Sequence, residues 1–292
     1  YRKHNDDSSK SSALNSWWIS NSLGPYPALN YSSYTGYGAA YGANYIQPSS
    51  IISMEGYNAL GNPKTFTQQE MEMVNKIRAF CDANFAHQYA AESVGVVNST
   101  AEREQLNMFM AELFQDAMNG AGFNSWGFNS YVSNDLVNLY YAEKVIEKFK
   151  PELTVLNMQD VDVCHTDFTQ HCNLLRRADW GVSHLWNTIQ NTPGMADDTV
   201  MIVVPEHGRN ITSNTVIDAY GRPAFDHNSD ATSREIFCLM CGPSSVIHQD
   251  KVVSSEYGES IDVIPTIADL LGFRDRIPNG MLSGQVLSQA IK

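Results

Sequence analysis

Leu153-Thr-Val-Leu-Asn-Met-Gln-Asp-Val-Asp-Val-Cys-His165 and Val200-Met-Ile-Val-Val-Pro-Glu-His-Gly208 decide the reading of this chain. Each is a short apolar, partly β-branched run that stops at a carboxylate and a histidine. Buried parallel strands carry such runs, and the crevice beyond their C-terminal ends is where α/β sheets hold ligands. Between them Leu174, Leu175, Ala178, Val182, Leu185, Trp186 and Ile189 predict a helix ended by Thr192-Pro-Gly. After the second run come a long polar excursion, a strand predicted over 235–240, and a last helix from Asp262 to Gly272. Pro265 falls in the first turn of that helix and Gly272 at its end, as helix termini prefer. The expectation is an α/β fold with a mainly parallel sheet flanked by helices.

Toward the N-terminus, Trp17-Trp-Ile-Ser20 reads as a short strand, and the Tyr-, Gly- and Asn-rich stretch 24–50 as ordered loop. Three helices are expected next. Thr67 with Glu70, and Ser99 with Glu102, form capping boxes ahead of two apolar stripes. The third helix carries Leu136, Leu139, Tyr140, Val145, Ile146 and Phe149. A Gly/Asn/aromatic loop, 120–129, separates the second from the third. The whole is expected to be one domain over 1–292, with loop and helical insertions in 24–150 and a metal-binding core in 151–292.

With 292 residues, 43% of them hydrophobic, the chain can bury a sizeable core. Its formal net charge of −13 argues against nucleic acid or an anionic membrane as partner. No apolar run is long enough to span a membrane. The five cysteines lack framework spacing, and Cys238 and Cys241 read as buried structural residues in a strand. Asn98-Ser-Thr and Asn210-Ile-Thr match the glycosylation pattern, which is too short to carry weight.

Of eight histidines, three stand beside acids near predicted strand ends. His165 follows Asp160 and Asp162, His207 follows Glu206, and His227 follows Asp226. Neutral imidazole with carboxylate suits zinc or another divalent ion, and three such pairs could converge on one crevice. If the chain turns after Gln159, Asp162 and His165 fall on one face three residues apart. Asp162 is then the ligand, and Asp160 an acid that orients an imidazole from behind.

Residues 151–272 resemble the metal-binding core of the alkaline phosphatase superfamily. The resemblance rests on the strand leading to Asp and His, the helix Leu-Leu-Arg-Arg-Ala-Asp-Trp-Gly-Val, the run Gly-Met-Ala-Asp-Asp-Thr-Val-Met-Ile-Val-Val with its acid-His-Gly, and the closing helix Ser260-Ile-Asp-Val-Ile-Pro-Thr-Ile-Ala-Asp-Leu-Leu-Gly272. The last is similar to the helix of sulfatase-like and phosphodiesterase-like members. The resemblance implies an alkaline-phosphatase-like fold and two divalent ions, zinc foremost, with manganese or calcium as alternatives. One ion would take Asp162, His165 and His227; the other Glu206 and His207, with an earlier Asp and a Ser or Thr nucleophile. Tyr1-Arg-Lys-His resembles the end of the helix after that nucleophile, so the nucleophile is expected upstream and the N-terminal quarter is expected to be missing. Glu206 departs from the family's usual Asp, and the three-residue Asp162 to His165 spacing from its usual four.

The implied activity is metal-dependent hydrolysis of small phosphate or sulfate esters, in a periplasmic or extracellular setting by family analogy. The stretches 24–50 and 120–129 would form substrate walls. A phosphomutase or transferase would use the same centre with another acceptor. A non-catalytic member, kept as a binding or assembly component, is the alternative from a different class.

Overall fold

The computed structural model describes residues 1–5, 12–20, 34–46, 98–118, 133–254 and 258–292. The expected helix at 67–81, the stretch 120–129, and 24–33 and 47–50 of the stretch expected as loop lie outside the described residues; within 34–46 a 3-10 turn, Ala39–Tyr41, and a strand, Asn44–Ile46, form where loop is expected. The chain divides into two compact units, one of 6–160 with Arg2, the other of Val161–Lys292 with Tyr1 and Lys3–Asn5.

In the first unit β1 (Ser16–Ile19) lies between β2 (Asn44–Ile46) and β3 (Leu153–Leu156), all parallel, with Trp17 opposite both Asn44 and Thr154. Among the described residues two helices accompany the sheet, α1 (Thr100–Met118) and α2 (Asn134–Phe149). The capping box read at Ser99 and Glu102 is present: Glu102 N–H donates to Ser99 Oγ at 3.2 Å, and Ser99 N–H to Glu102 Oε2 at 2.7 Å. Leu106, Phe109, Met110 and Leu113 are buried, as are Leu136, Leu139, Tyr140, Val145 and Ile146. Trp17, fully buried, stacks on Phe149 at 5.2 Å between ring centroids and meets the edge of Phe109. Such a cluster places several large apolar surfaces out of water at once, which drives the packing of helices on a sheet.

The run 151–160, expected with the metal core, belongs to this first unit because β3 pairs with β1. Its end is tied to the start of α2. Asp135 accepts the Gln159 and Asp160 N–H groups at 2.7 and 3.0 Å, and Asp160 Oδ2 accepts the Asp135 N–H at 3.0 Å. Burial and the charge of Asp160 push the Asp135 carboxyl up to about 7, against the pull of those two N–H donors.

In the second unit α3 (Phe168–Asn191) starts at Asp167, whose side chain accepts the Gln170 N–H. β4 (Met201–Val203) and β5 (Leu239–Cys241) follow, then α4 (Val263–Leu270). A 3-10 turn, Ser260–Asp262, opens α4, and Gly272 beyond its end has φ +70°. The parallel sheet expected here is not what forms: β4 and β5 are antiparallel, with Met201 opposite Cys241. A parallel pair needs a crossover, usually a helix. Residues 204–238 instead form loops and one 3-10 turn, Ala231–Arg234, which also displaces the strand predicted to begin at 235. Cys238, expected inside a strand, is exposed, and the described cysteines are all free thiols. Mixed α/β architecture with a three-stranded parallel sheet is the outcome, and among the described residues no helix is long and apolar enough to cross a membrane.

Candidate metal centre

Three loops of the second unit bring the histidines together. The first is a 3-10 turn, Asp160–His165, rather than a strand end. With three residues per turn, side chains three apart eclipse, so Asp162 and His165 face the same way. The turn is fixed from both directions: His171 Nδ1 on α3 lies 2.8 Å from Val161 O, and Phe225 N–H donates to Cys164 O at 3.0 Å.

The second loop carries His207 out of β4. Gly208 N–H donates to Ser233 O at 2.9 Å, and a Cβ on Gly208 would lie 2.2 Å from Thr232 O and 2.6 Å from Glu235 O. Glycine is required here by close approach of backbone, not by a positive φ.

Asn210 joins this loop to the third. Its Nδ2 donates to Asn228 Oδ1 and Ser229 Oγ, its Oδ1 accepts the Ser229 and Asp230 N–H groups, and its own N–H donates to Asp226 O at 2.8 Å. Asn210 is buried, so its match to the glycosylation pattern coincides with a structural side chain.

Within the site, His165 Nδ1 is 2.8 Å from Asp226 Oδ1. An ionised carboxylate only accepts, so in the neutral ring Nδ1 carries the proton and Nε2 presents a lone pair. That Nε2 lies 3.3 Å from Asp162 Oδ1. His207 repeats the arrangement: Nδ1 is 2.9 Å from Gly208 O, a carbonyl that can only accept, and Nε2 is 3.8 Å from the same Asp162 oxygen. His227 stacks on His207 at 3.7 Å between centroids and sets its edge against His165 at 4.7 Å. Asp162, His165 and His227 offer ligand atoms all within 4.8 Å of one another.

Electrostatics favours the ligating protonation states. Hydrogen bonds from His165 and Asn214 hold the Asp226 carboxyl below the usual range. At Asp162 burial opposes ionisation, but the hydrogen bond and charge of Arg209, with His165 and His207, outweigh it. Burial, then His207, His165 and Arg209, push the His227 imidazole down toward its neutral form. The Arg209 guanidinium is a cation already set among these groups, on Asp162 Oδ1, and the donor set of imidazoles with a carboxylate fits zinc or a similar divalent ion.

Four of the predicted residues, Asp162, His165, His207 and His227, therefore meet. Glu206 does not join them: its residue is exposed and outside the cluster. Asp160, expected behind an imidazole, has its carboxylate on the Asp135 N–H instead. Two partners escaped the sequence reading. Adjacency in sequence pairs Asp226 with His227, yet Asp226 serves His165; and Arg209 donates to Asp162 Oδ1 at 2.6 Å. Its place directly after the acid-His-Gly run was the available signal.

No family model, curated protein or solved structure matches the chain.

Proposed function

We propose that this protein is a metal-dependent hydrolase of phosphate or sulfate esters. The observation that supports it most directly is the set of imidazole Nε2 atoms turned toward Asp162 Oδ1, with their Nδ1 atoms tied to acceptors. The reaction class itself rests on the resemblance of 151–272 to the alkaline phosphatase superfamily, as do the Ser or Thr nucleophile, a second ion and an exported setting.

Asp162, His165 and His227 would hold a divalent ion, with His207 beside them. Such an ion lowers the pKa of a bound hydroxyl and neutralises charge on transferring oxygens. Asp226 keeps the His165 ring oriented and its proton on Nδ1. Asn214 donates to Asp226 Oδ1 at 3.1 Å and to His165 O at 3.0 Å, holding acid and ring in register. The Arg209 guanidinium adds fixed positive charge where an anionic ester would approach.

Hydrolysis of bis-p-nitrophenyl phosphate, p-nitrophenyl phosphate or p-nitrophenyl sulfate by the protein at its native length tests the reading. Turnover should require zinc or manganese and disappear in His227→Ala. Metal binding without turnover on any ester would favour the non-catalytic binding or assembly role. One observation favours that second reading: Glu206, assigned to the other ion, stands outside the cluster.

A further inference from the structure

Arg209 turns its side chain back into the cluster from the residue after Gly208. Its Nη2 donates to Asp162 Oδ1 at 2.6 Å and its Nη1 lies 3.4 Å from His165 Nε2. Only 19% of the side chain is exposed, against 53% for Asp162, so the guanidinium is withdrawn from water while the carboxylate is not. The atoms it touches are the atoms a divalent ion would take. An ion within about 2.2 Å of a carboxylate oxygen and an imidazole nitrogen would occupy the corner between Asp162 Oδ1 and His165 Nε2 that the guanidinium fills. Both cations cannot hold that corner together.

We propose that Arg209 is an internal counter-cation that competes with the metal for Asp162 and, when displaced, turns to the anionic end of a ligand bound beside the metal. The first half follows from His165 Nε2, whose single lone pair can face only one of the two cations. The second follows from charge. A dication and a guanidinium set against two carboxylates, Asp162 and Asp226, leave the site positive. A planar donor fork released from one carboxylate matches the paired oxygens of a phosphate or sulfate. Arg209 would thus keep the ligands gathered without metal, weaken metal binding alone, and couple it to binding of an oxyanion. The inference rests on the metal-centre reading above.

Zinc titration of the protein, by competition with a chromophoric chelator, tests it with wild type, Arg209→Met and Arg209→Lys, each with and without inorganic phosphate. Without phosphate, Arg209→Met should bind zinc about tenfold more tightly than wild type, because one charge-assisted hydrogen bond no longer has to be broken. Phosphate should strengthen zinc binding by wild type several-fold and leave Arg209→Met unchanged. Arg209→Lys, which keeps the charge without the fork, should lie between them and shows whether the Met variant merely loosens the site. Equal or weaker zinc binding by Arg209→Met would overturn the competition. Equal phosphate coupling in all three would overturn the anion role. Should wild type and Asp162→Asn bind zinc alike, the metal centre itself falls, an outcome distinct from both.

Discussion

Asp226 Oδ1 approaches His165 Nδ1 at 2.8 Å across a separation of 61 residues in sequence. The acid beside His227 thus serves a different histidine, and it decides which nitrogen of His165 faces the site. Asp226→Ala should lower zinc affinity roughly ten- to a hundredfold without removing a ligand. Asp226→Asn, which can still accept from the ring, should lose less. Chelator competition on both variants checks the order.

Asp162→Asn should cost more zinc affinity than either Asp226 variant, since it removes the anionic ligand on which the Nε2 atoms of His165 and His207 converge. Asp160→Ala should leave zinc affinity within about twofold and lower thermal stability instead, because it removes the acceptor of the Asp135 N–H. The same titration with a melting curve separates the two.

Gly208→Ala should destabilise the second unit by about 1–3 kcal/mol, the usual cost of overpacking, and abolish zinc binding. The added Cβ meets two backbone carbonyls that cannot rotate away. Wild-type melting in the variant would show that the 231–235 backbone yields freely.

Two buried acids give opposite pH signatures. Thr169, Tyr220 and Arg222 donate to Asp218, and despite its burial these bonds hold it down to about 2. Its contribution to stability is full above the ordinary aspartate value and is lost as pH falls from about 4 toward 2. Asp135, pushed up to about 7, acts the other way: its contribution is full below about pH 4 and lost as pH rises through 7. Denaturant midpoints across pH 2–8 should show the acid limb flatten in Asp218→Asn and the neutral limb flatten in Asp135→Asn.

Expressed through a glycosylating secretory pathway, the folded protein should carry no glycan on Asn210, whose amide nitrogen is committed to Asn228 and Ser229. Peptide mass spectrometry at Asn210 reads this directly.

What the sequence made legible was local chemistry. The Ser99 and Glu102 box, the Leu136 to Ile146 face and the helix punctuation at Pro265 and Gly272 are set by neighbours in the chain, and they formed as read. Histidine context also separated the rings that cluster from those that do not: His184 stacks on Trp180 and His171 bonds Val161 O, while His165, His207 and His227 gather. Strand partnership is non-local, and there the expected parallel pairing holds for β3 and not for β4. Apolar runs look alike whether they pair parallel, as β3 does, or antiparallel, as β4 does. The same limit hid the service of Asp226 to His165 and of Arg209 to Asp162, because adjacency in sequence suggested other partners.

The 3-10 geometry of Asp160–His165 also governs how this motif can drift in descendants of the chain. One residue inserted between Asp162 and His165 would rotate the imidazole by about a third of a turn, off Asp226 and away from Asp162 together. Three inserted residues would restore the direction at a different height. Distant kin are thus to be sought by the phase of their Asp-to-His interval in multiples of three, with an asparagine two places after an His-Gly pair, rather than by any fixed strand-end spacing.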